Sequence, residues 1–193
     1  MRRLGVSVAA LLLTTIVLCH CDKAPEPDPP ANARARASRC LRPTPIAAPP
    51  PVKPGPDPSC PVDPDGGPPK VPIAKISFPE AQGSPTAEIE VMQSEPHRAR
   101  GLMYRREMAE DHGMIFVFDD TAPRTFWMHN TCLPLDMFFI AADGFISGIL
   151  ENVPTMNDDG RANPCAVKYV LEMNAGYARR HGIKAGQKAQ LNL

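Results

Sequence analysis

Histidine and cysteine are the residues of this chain that could ligate a metal, and their spacing limits that use. His129-x-x-Cys132 has a ligand-like spacing, but a structural zinc site usually takes four such residues. His97, His112 and His181 complete no recognised ligand spacing. The sequence also has no G-x-S-x-G, Walker or Rossmann glycine motif. We therefore assign no catalytic residue, and we expect no metal and no cofactor.

The N-terminus has the pattern of a secretory signal over residues 1–21. Two arginines precede an apolar run from Val6 to Leu18, which is 13 residues long. A run of this length suits a signal and falls short of the roughly 20 residues of a spanning helix. The run ends at Leu18-Cys19-His20-Cys21, which partly matches a bacterial lipobox. We predict an exported protein lipidated at Cys21, or alternatively at Cys19, that faces the periplasm or the exterior. A plainly secreted protein and an uncleaved anchor are the alternatives.

Residues 22–72 have the composition of a linker. They contain 17 of the 24 prolines and no aromatic residue, so they cannot bury enough apolar surface to offset the entropy of ordering. The composition predicts a disordered tether that could hold the next domain up to roughly 150 Å from its anchor, at about 3.1 Å per residue. A ligand for proline-recognising modules is the alternative.

The remaining cysteines are expected to form disulfides, because exported cysteines tend to pair. Cys132 and Cys165 are the two cysteines after residue 73, and we expect them to bond to each other. A reactive Cys132 thiolate is the alternative. Cys40 and Cys60 lie in the linker, where a bond between them is one pairing among several that the sequence leaves open.

The charge distribution argues against nucleic acid as a partner. The chain has 21 basic and 21 acidic side chains, and residues 75–193 hold 12 basic and 15 acidic ones. A slightly acidic domain does not attract anionic polymers.

Residues 73–193 read as one globular domain in which strands dominate. Glu88–Met92 alternates polar and apolar residues, and Gly113–Phe118 is a buried apolar run. Asp143-Gly144 between two apolar runs predicts a hairpin with a type I′ turn. Ser94 and Pro96 are typical of a helix start. Further strands are predicted at 135–140, 145–150, 168–173 and 184–193, and a short helix at 176–181. The fold class is α+β, mainly β.

Several short blocks occur in one order through residues 86–192. They are Arg100-Gly101-Leu102-Met103, Gly113-Met114-Ile115-Phe116-Val117-Phe118, Phe126-Trp127-Met128-His129-Asn130-Thr131, Leu133-Pro134-Leu135-Asp136 and Lys168-Tyr169-Val170-Leu171-Glu172. This pattern resembles domain-of-unknown-function family 192, a group of small exported or envelope-associated proteins. The resemblance implies a compact, β-barrel-like domain with one or two short helices, and it supplies no activity. His129 stands where the family often has Lys, and Gln187 stands where Asp is usual.

The family pattern also fixes the polar residues Thr131 and Tyr169, and the ligand-binding candidates among its fixed polar residues are Arg100, Trp127, Asn130, Asp136 and Glu172. An indole stacks on apolar ring faces, while guanidinium and carboxylate groups fix hydroxyls or charges, so a groove built from them suits a sugar or peptide-like ligand. A purely structural network in which Arg100 pairs with the carboxylates is the second interpretation. Acid–base hydrolysis by Asp136 and Glu172 is the third.

Three functions follow from these interpretations. We favour a membrane-tethered, non-catalytic binding or assembly module whose partner is an unknown envelope ligand or protein. An envelope enzyme that acts on glycan or peptide and a structural scaffold are the alternatives. A pocket containing Trp127 and both carboxylates would favour the first two functions, whereas mutual bonding of the buried Arg100, Asp136 and Glu172 would favour the scaffold.

Overall fold

The computed structural model describes residues 39–193. The predicted signal and its lipidation site, Cys21, lie outside the described residues. The described part is mainly β with two short helices, as predicted. In chain order, its elements are β1 Ile73–Ser77, β2 Thr86–Met92, α1 Glu95–Arg100, β3 His112–Met128, β4 Leu135–Ile140, β5 Ile146–Val153, β6 Asn157–Asn174, α2 Tyr177–Arg180 and β7 Gln190–Asn192.

Within residues 39–193 the strands form one seven-stranded sheet in the order β5-β4-β6-β3-β2-β1-β7. All neighbours are antiparallel except β2 and β3, which are parallel. The outermost strands β5 and β7 form no ladder with each other. The residues just before each of them meet through an isolated bridge between Phe145 and Lys188. The sheet is therefore curled like a barrel but is not closed.

The central strands β3 and β6 are longer than their apolar runs predict. The run Gly113–Phe118 continues to Met128, and the run at 168–173 begins at Asn157. The additional residues pair with each other, with Arg124 opposite Asn163 and Phe126 opposite Arg161. Most of these side chains are exposed or half-buried, so they lack the apolar pattern by which a strand is recognised.

The hairpin between β4 and β5 is present, but its turn is not the predicted type I′. Gly144 has a φ of 83°, whereas Asp143 is not among the residues with positive φ. The amide of Gly144 donates to the carbonyl of Ala141 at 3.0 Å. A hairpin can also be closed by a hydrogen-bonded turn that ends in one glycine with positive φ. This arrangement requires no positive φ at Asp143.

Both faces of the sheet are covered, which is why every residue of β4 is buried. Alternation along the strands divides the core into two clusters. The first contains Ile115, Phe138 and Leu171, and it is closed by residues of α2. The second contains Phe116, Phe139 and the other buried residues of the opposite face, including Met92, Leu102, Met114, Met128, Met137, Val167 and Val170.

The segment from residue 39 to 72 lies against the domain and has neither helix nor strand. Disulfides join Cys40 to Cys165 and Cys60 to Cys132. The predicted bond between Cys132 and Cys165 is therefore wrong, as is a bond between Cys40 and Cys60. The physical reason is the path of this segment along the domain. It places the Cα atom of Cys40 5.4 Å from that of Cys165, and the Cα atom of Cys60 5.3 Å from that of Cys132. The tether role of the preceding residues stays a prediction.

Candidate functional site

A cavity of about 280 Å³ lies over the second face of the sheet, between α1 and the strands β3 and β6. Its walls are mostly aromatic and apolar, and its charged groups come from α1 and β6. The lining residues are Glu95, Arg98, Ala99, Arg100, Gly101, Leu102, Met103, Phe116, Phe118, Thr125, Phe126, Trp127, Thr131 and Glu172. Four of the five blocks that carry the family resemblance contribute to it.

A bend in β3 brings the aromatic wall together. Phe116 and Phe126 are ten residues apart, a separation that spans roughly 33 Å in a straight strand, yet their ring centroids are 4.8 Å apart. The ladder with β6 is irregular between Val117 and Ala122, where five steps along β3 match only the two steps from Tyr169 to Val167 on β6, so the strand bulges. Phe118 also contacts Phe126, with the rings perpendicular at 6.4 Å. Residues from both parts of β3 therefore line the same cavity.

Glu172 is the buried carboxyl group of this cavity. It is 4% exposed, and its neighbours across the ladders are Met114 and Met137. Within residues 39–193 its carboxyl group has no hydrogen bond and no ion pair. Burial alone raises the pKa of Glu172 from 4.5 to about 8, because no neighbouring charge or donor stabilises the ionised form. The group is therefore mainly protonated at neutral pH.

Trp127 and Thr131 also line the cavity. Trp127 is 53% exposed, and its ring lies 5.1 Å from that of His129. Thr131 forms an isolated bridge with Met103, which fixes the turn after β3 against the segment after α1. An exposed indole beside a buried carboxyl gives the cavity an apolar edge that solvent can reach.

Asn130 supports the cavity without lining it. The residue has a φ of 49°, a left-handed conformation that asparagine tolerates better than most residues. Its side-chain amide donates to the Tyr104 hydroxyl at 2.9 Å, and its carbonyl accepts from the Tyr104 amide at 2.8 Å. Asn130 therefore holds two segments together.

Two arginines lie at the cavity, and both have partners elsewhere. Arg100 contacts Asp63 at 2.5 Å and Asp65 at 2.8 Å, so its partners are linker carboxylates rather than Asp136 or Glu172. Arg98 donates to the carbonyls of Gln93 and Val117. The network expected to join Arg100 to the domain carboxylates is not formed.

Asp136 lies on the opposite face of the sheet from Glu172. In the β4–β6 ladder, Asp136 is opposite Met173 and Met137 is opposite Glu172, so the two carboxyl groups point away from each other. The Asp136 carboxylate accepts from three backbone amides at 2.9 to 3.0 Å, those of Asn152, Gly176 and Ala178. Burial raises the pKa of Asp136, although these donors oppose the shift. The two residues cannot act as an acid–base pair on one substrate.

The His129-x-x-Cys132 spacing does not gather metal ligands. His129 contacts Asp158 at 2.8 Å, and Cys132 is bonded to Cys60. Nowhere in the described part of the chain do three His, Cys, Asp or Glu side chains lie close enough to hold a metal ion. Neither helix in that part is long and apolar enough to cross a bilayer.

The sequence therefore identified three of the cavity's lining residues, Arg100, Trp127 and Glu172, and missed its phenylalanine wall. The spacing of Phe116 and Phe118, two residues apart on one strand, was a signal that they share a face. Phe126 carried no such signal, because its position depends on the bend in β3.

Comparison with known proteins agrees with the resemblance in the sequence. The model of domain-of-unknown-function family 192, described as "Uncharacterized ACR", matches residues 78–191. No curated protein matches. A crystal structure from Sinorhizobium meliloti 1021, provisionally described as that of a transcription regulator, is 38% identical, with a TM-score of 0.60 over 65% of this chain and 98% of that one. A protein of unknown function from Novosphingobium aromaticivorans DSM 12444 is 31% identical, with a TM-score of 0.58 over 62% of this chain and 86% of that one. The chain belongs to domain-of-unknown-function family 192.

Proposed function

We propose that this protein is a membrane-tethered, extracytoplasmic binding module that holds a small group of its ligand in the cavity above Glu172, without catalysis. The observation that carries the proposal is the Glu172 carboxyl group, buried without a partner at a cavity whose walls are mostly aromatic and apolar. Burying a polar group without a hydrogen bond is destabilising, and such groups cluster at functional sites.

The geometry favours binding over the two alternatives. An enzyme that uses Asp136 and Glu172 together would need both carboxyl groups at one substrate, and the sheet separates them. A scaffold would gain nothing from an unpartnered acid, since a leucine of similar size would pack there without the cost of burying a carboxyl group. A ligand that bonds to Glu172 would explain why a carboxyl group is present at this buried position.

The location follows from the cysteines and, more weakly, from the N-terminus. Two disulfides in residues 39–193 indicate an oxidising, extracytoplasmic compartment. Lipidation at Cys21 supplies the membrane tether of the proposal. We expect a Cys21→Ser variant to leave the membrane fraction, and its full retention there would contradict this anchor.

The Sinorhizobium protein is described as a transcription regulator, and the charge of this chain does not favour nucleic acid as a partner. Residues 75–193 carry more acidic than basic side chains, and the arginines at the cavity are already paired.

The test is a thermal shift of the oxidised full-length protein against envelope glycans, peptides and small acids. A ligand at 100 times its dissociation constant stabilises by roughly 2.7 kcal/mol, which is a shift of several degrees. We expect a hit that Trp127→Ala abolishes and that Ile46→Ala retains, since Ile46 is a fully exposed apolar residue away from the cavity. A hit that Trp127→Ala leaves unchanged, or no hit, would contradict binding at this site.

A further inference from the structure

The charges around the cavity indicate the chemistry of its ligand. We infer that the cavity binds a cationic group, an ammonium or a guanidinium, which pairs with the carboxylate of Glu172 while its hydrocarbon part contacts the aromatic wall. The inference rests on the proposed function, because it names the ligand class of the same site.

The two arginines at the cavity are already engaged by other groups. The charge of Arg100 is offset by Asp63 and Asp65. Arg98 directs its guanidinium at two backbone carbonyls and lies over the ring of Phe118 at 5.4 Å. An anionic ligand would have to compete with these contacts.

The two carboxyl groups at the cavity are, by contrast, without partners in the described part of the chain. Glu172 lies within the cavity and Glu95 at its exposed edge on α1. A buried carboxylate gains more from an opposite charge than an exposed one does, because the surrounding dielectric is lower. A cationic ligand therefore supplies the counter-charge that the fold does not provide.

The aromatic wall is compatible with a cation. Arg98 and Arg124 already lie over the ring of Phe118, the latter at 3.9 Å, so a ring in this wall accepts positive charge on its face. Phe116, Phe126 and Trp127 line the same cavity. Its volume, about 280 Å³, is just below the usual range of small-molecule sites, which suits one head group or side chain.

Binding of the cation releases a proton. At neutral pH Glu172 is a neutral acid, and the incoming cation pairs with its carboxylate while the acid proton passes to solvent. The other ionisable groups at the cavity are Glu95, Arg98 and Arg100 of α1, and the residues paired with Glu172 on β3 and β4 are methionines. None of these groups offsets the effect of burial on the pKa of Glu172. Affinity for a cation should therefore rise with pH up to about pH 8 and then level.

Calorimetry of the oxidised full-length protein tests this with benzylguanidinium, its neutral analogue benzylurea and the anion phenylacetate. We expect benzylguanidinium to bind at least about tenfold more tightly than benzylurea at pH 7. Its affinity should rise about tenfold between pH 7 and pH 9, with about one proton released at pH 7, because the ionised fraction of a group of pKa 8 changes by that factor. Nα-acetyl-lysine amide and glycerophosphoethanolamine then distinguish a peptide amine from a lipid head group.

Glu172→Gln keeps the size of the side chain and removes its charge. It should bring the ratio of benzylguanidinium to benzylurea affinity to about one and abolish the pH dependence. Glu107→Gln is the matched control, since Glu107 is exposed and lies outside the cavity. The cation preference and the proton release of the native protein need no variant, so a poorly folded Glu172→Gln protein would not prevent the test.

The failure of this inference is distinguishable from that of the proposed function. Equal or tighter binding of benzylurea or phenylacetate, lost in Trp127→Ala, would overturn the cationic ligand and leave the binding module standing. If no probe binds but the envelope panel gives a Trp127-dependent hit, the cationic ligand is again overturned alone. Failure of both the probes and the panel would overturn both.

Discussion

Asp136 and Glu172 are buried acids on adjacent strands, and they differ in their hydrogen bonds and in the face of the sheet on which they lie. Asp136 accepts three backbone hydrogen bonds, which tie β4 to β5 and to the start of α2. Glu172 accepts none and adjoins a cavity. Burial raises the pKa of both side chains, but only at Asp136 do hydrogen-bond donors oppose the shift.

The difference separates a structural acid from a candidate binding residue. A carboxylate that satisfies several buried amides is part of the fold, and its loss leaves those amides without partners. A buried acid without partners destabilises the fold, so its presence needs another explanation. Both residues stood as equal candidates in the sequence, and hydrogen bonding decides between them.

Asp136→Ala should have the largest effect on stability. The substitution removes the acceptor of three buried amides, each worth about 1 to 3 kcal/mol when left unsatisfied, so we expect a loss of about 5 kcal/mol. Urea unfolding at pH 7 measures it. Glu172→Gln in the same assay should stay within about 1 kcal/mol of the native protein or exceed it. A loss at Glu172→Gln equal to that at Asp136→Ala would remove the distinction between the two acids.

The pH dependence of stability should expose Glu172 next. Its pKa is about 8 in the folded protein and 4.5 as the ordinary value, so between these pH values the folded state binds the additional proton. Stability therefore falls as pH rises through this window and levels above pH 8. We expect a contribution of about 3 to 4 kcal/mol between pH 5 and pH 8, at 1.36 kcal/mol per pH unit.

Unfolding free energies of Glu172→Gln and Glu107→Gln between pH 5 and pH 8 isolate the contribution of Glu172. The decrease in the free energy of unfolding with pH should be reduced in the first variant and retained in the second. An unchanged slope in Glu172→Gln would mean that the acid is ionised in the folded protein and has a partner.

The sequence predicted those parts of the fold that have a local signal. The run Leu135–Ile140 matched β4 residue for residue, because it is apolar at every position except Asp136 and is bounded by a proline and a turn. Ser94 and Pro96 located the start of α1. The exposed half of β3 had no such signal, since pairing with β6 rather than apolar periodicity defines it.

The site was less predictable because it depends on register and on contacts between distant segments. Alternation places a residue on one face of its own strand, but only the β4–β6 register shows that Asp136 and Glu172 face opposite ways. Arg100 pairs with Asp63 and Asp65, which lie in a segment whose composition predicted no contact with the domain. The disulfide pairing failed for the same reason, since no local pattern records where that segment passes.

Ser94→Ala should have the smallest effect, and it tests whether α1 keeps water from Glu172. The Ser94 hydroxyl oxygen accepts from the amide of His97 and caps α1, and loss of such a cap costs about 1 kcal/mol. A frayed α1 admits water, which reduces the burial penalty on Glu172, so its pKa should fall and the pH at which stability levels should fall with it. Ser77→Ala makes the same chemical change on β1, outside the cavity lining, and should leave this midpoint unchanged. Hydrogen exchange at Gly176 and Ala178, the amides bound to Asp136, should be unaffected in both variants. If Ser94→Ala lowers stability but leaves the pH midpoint of the Glu172 contribution unchanged, then the sheet excludes water from the Glu172 carboxyl group without α1. The raised pKa of Glu172 would then not depend on this helix.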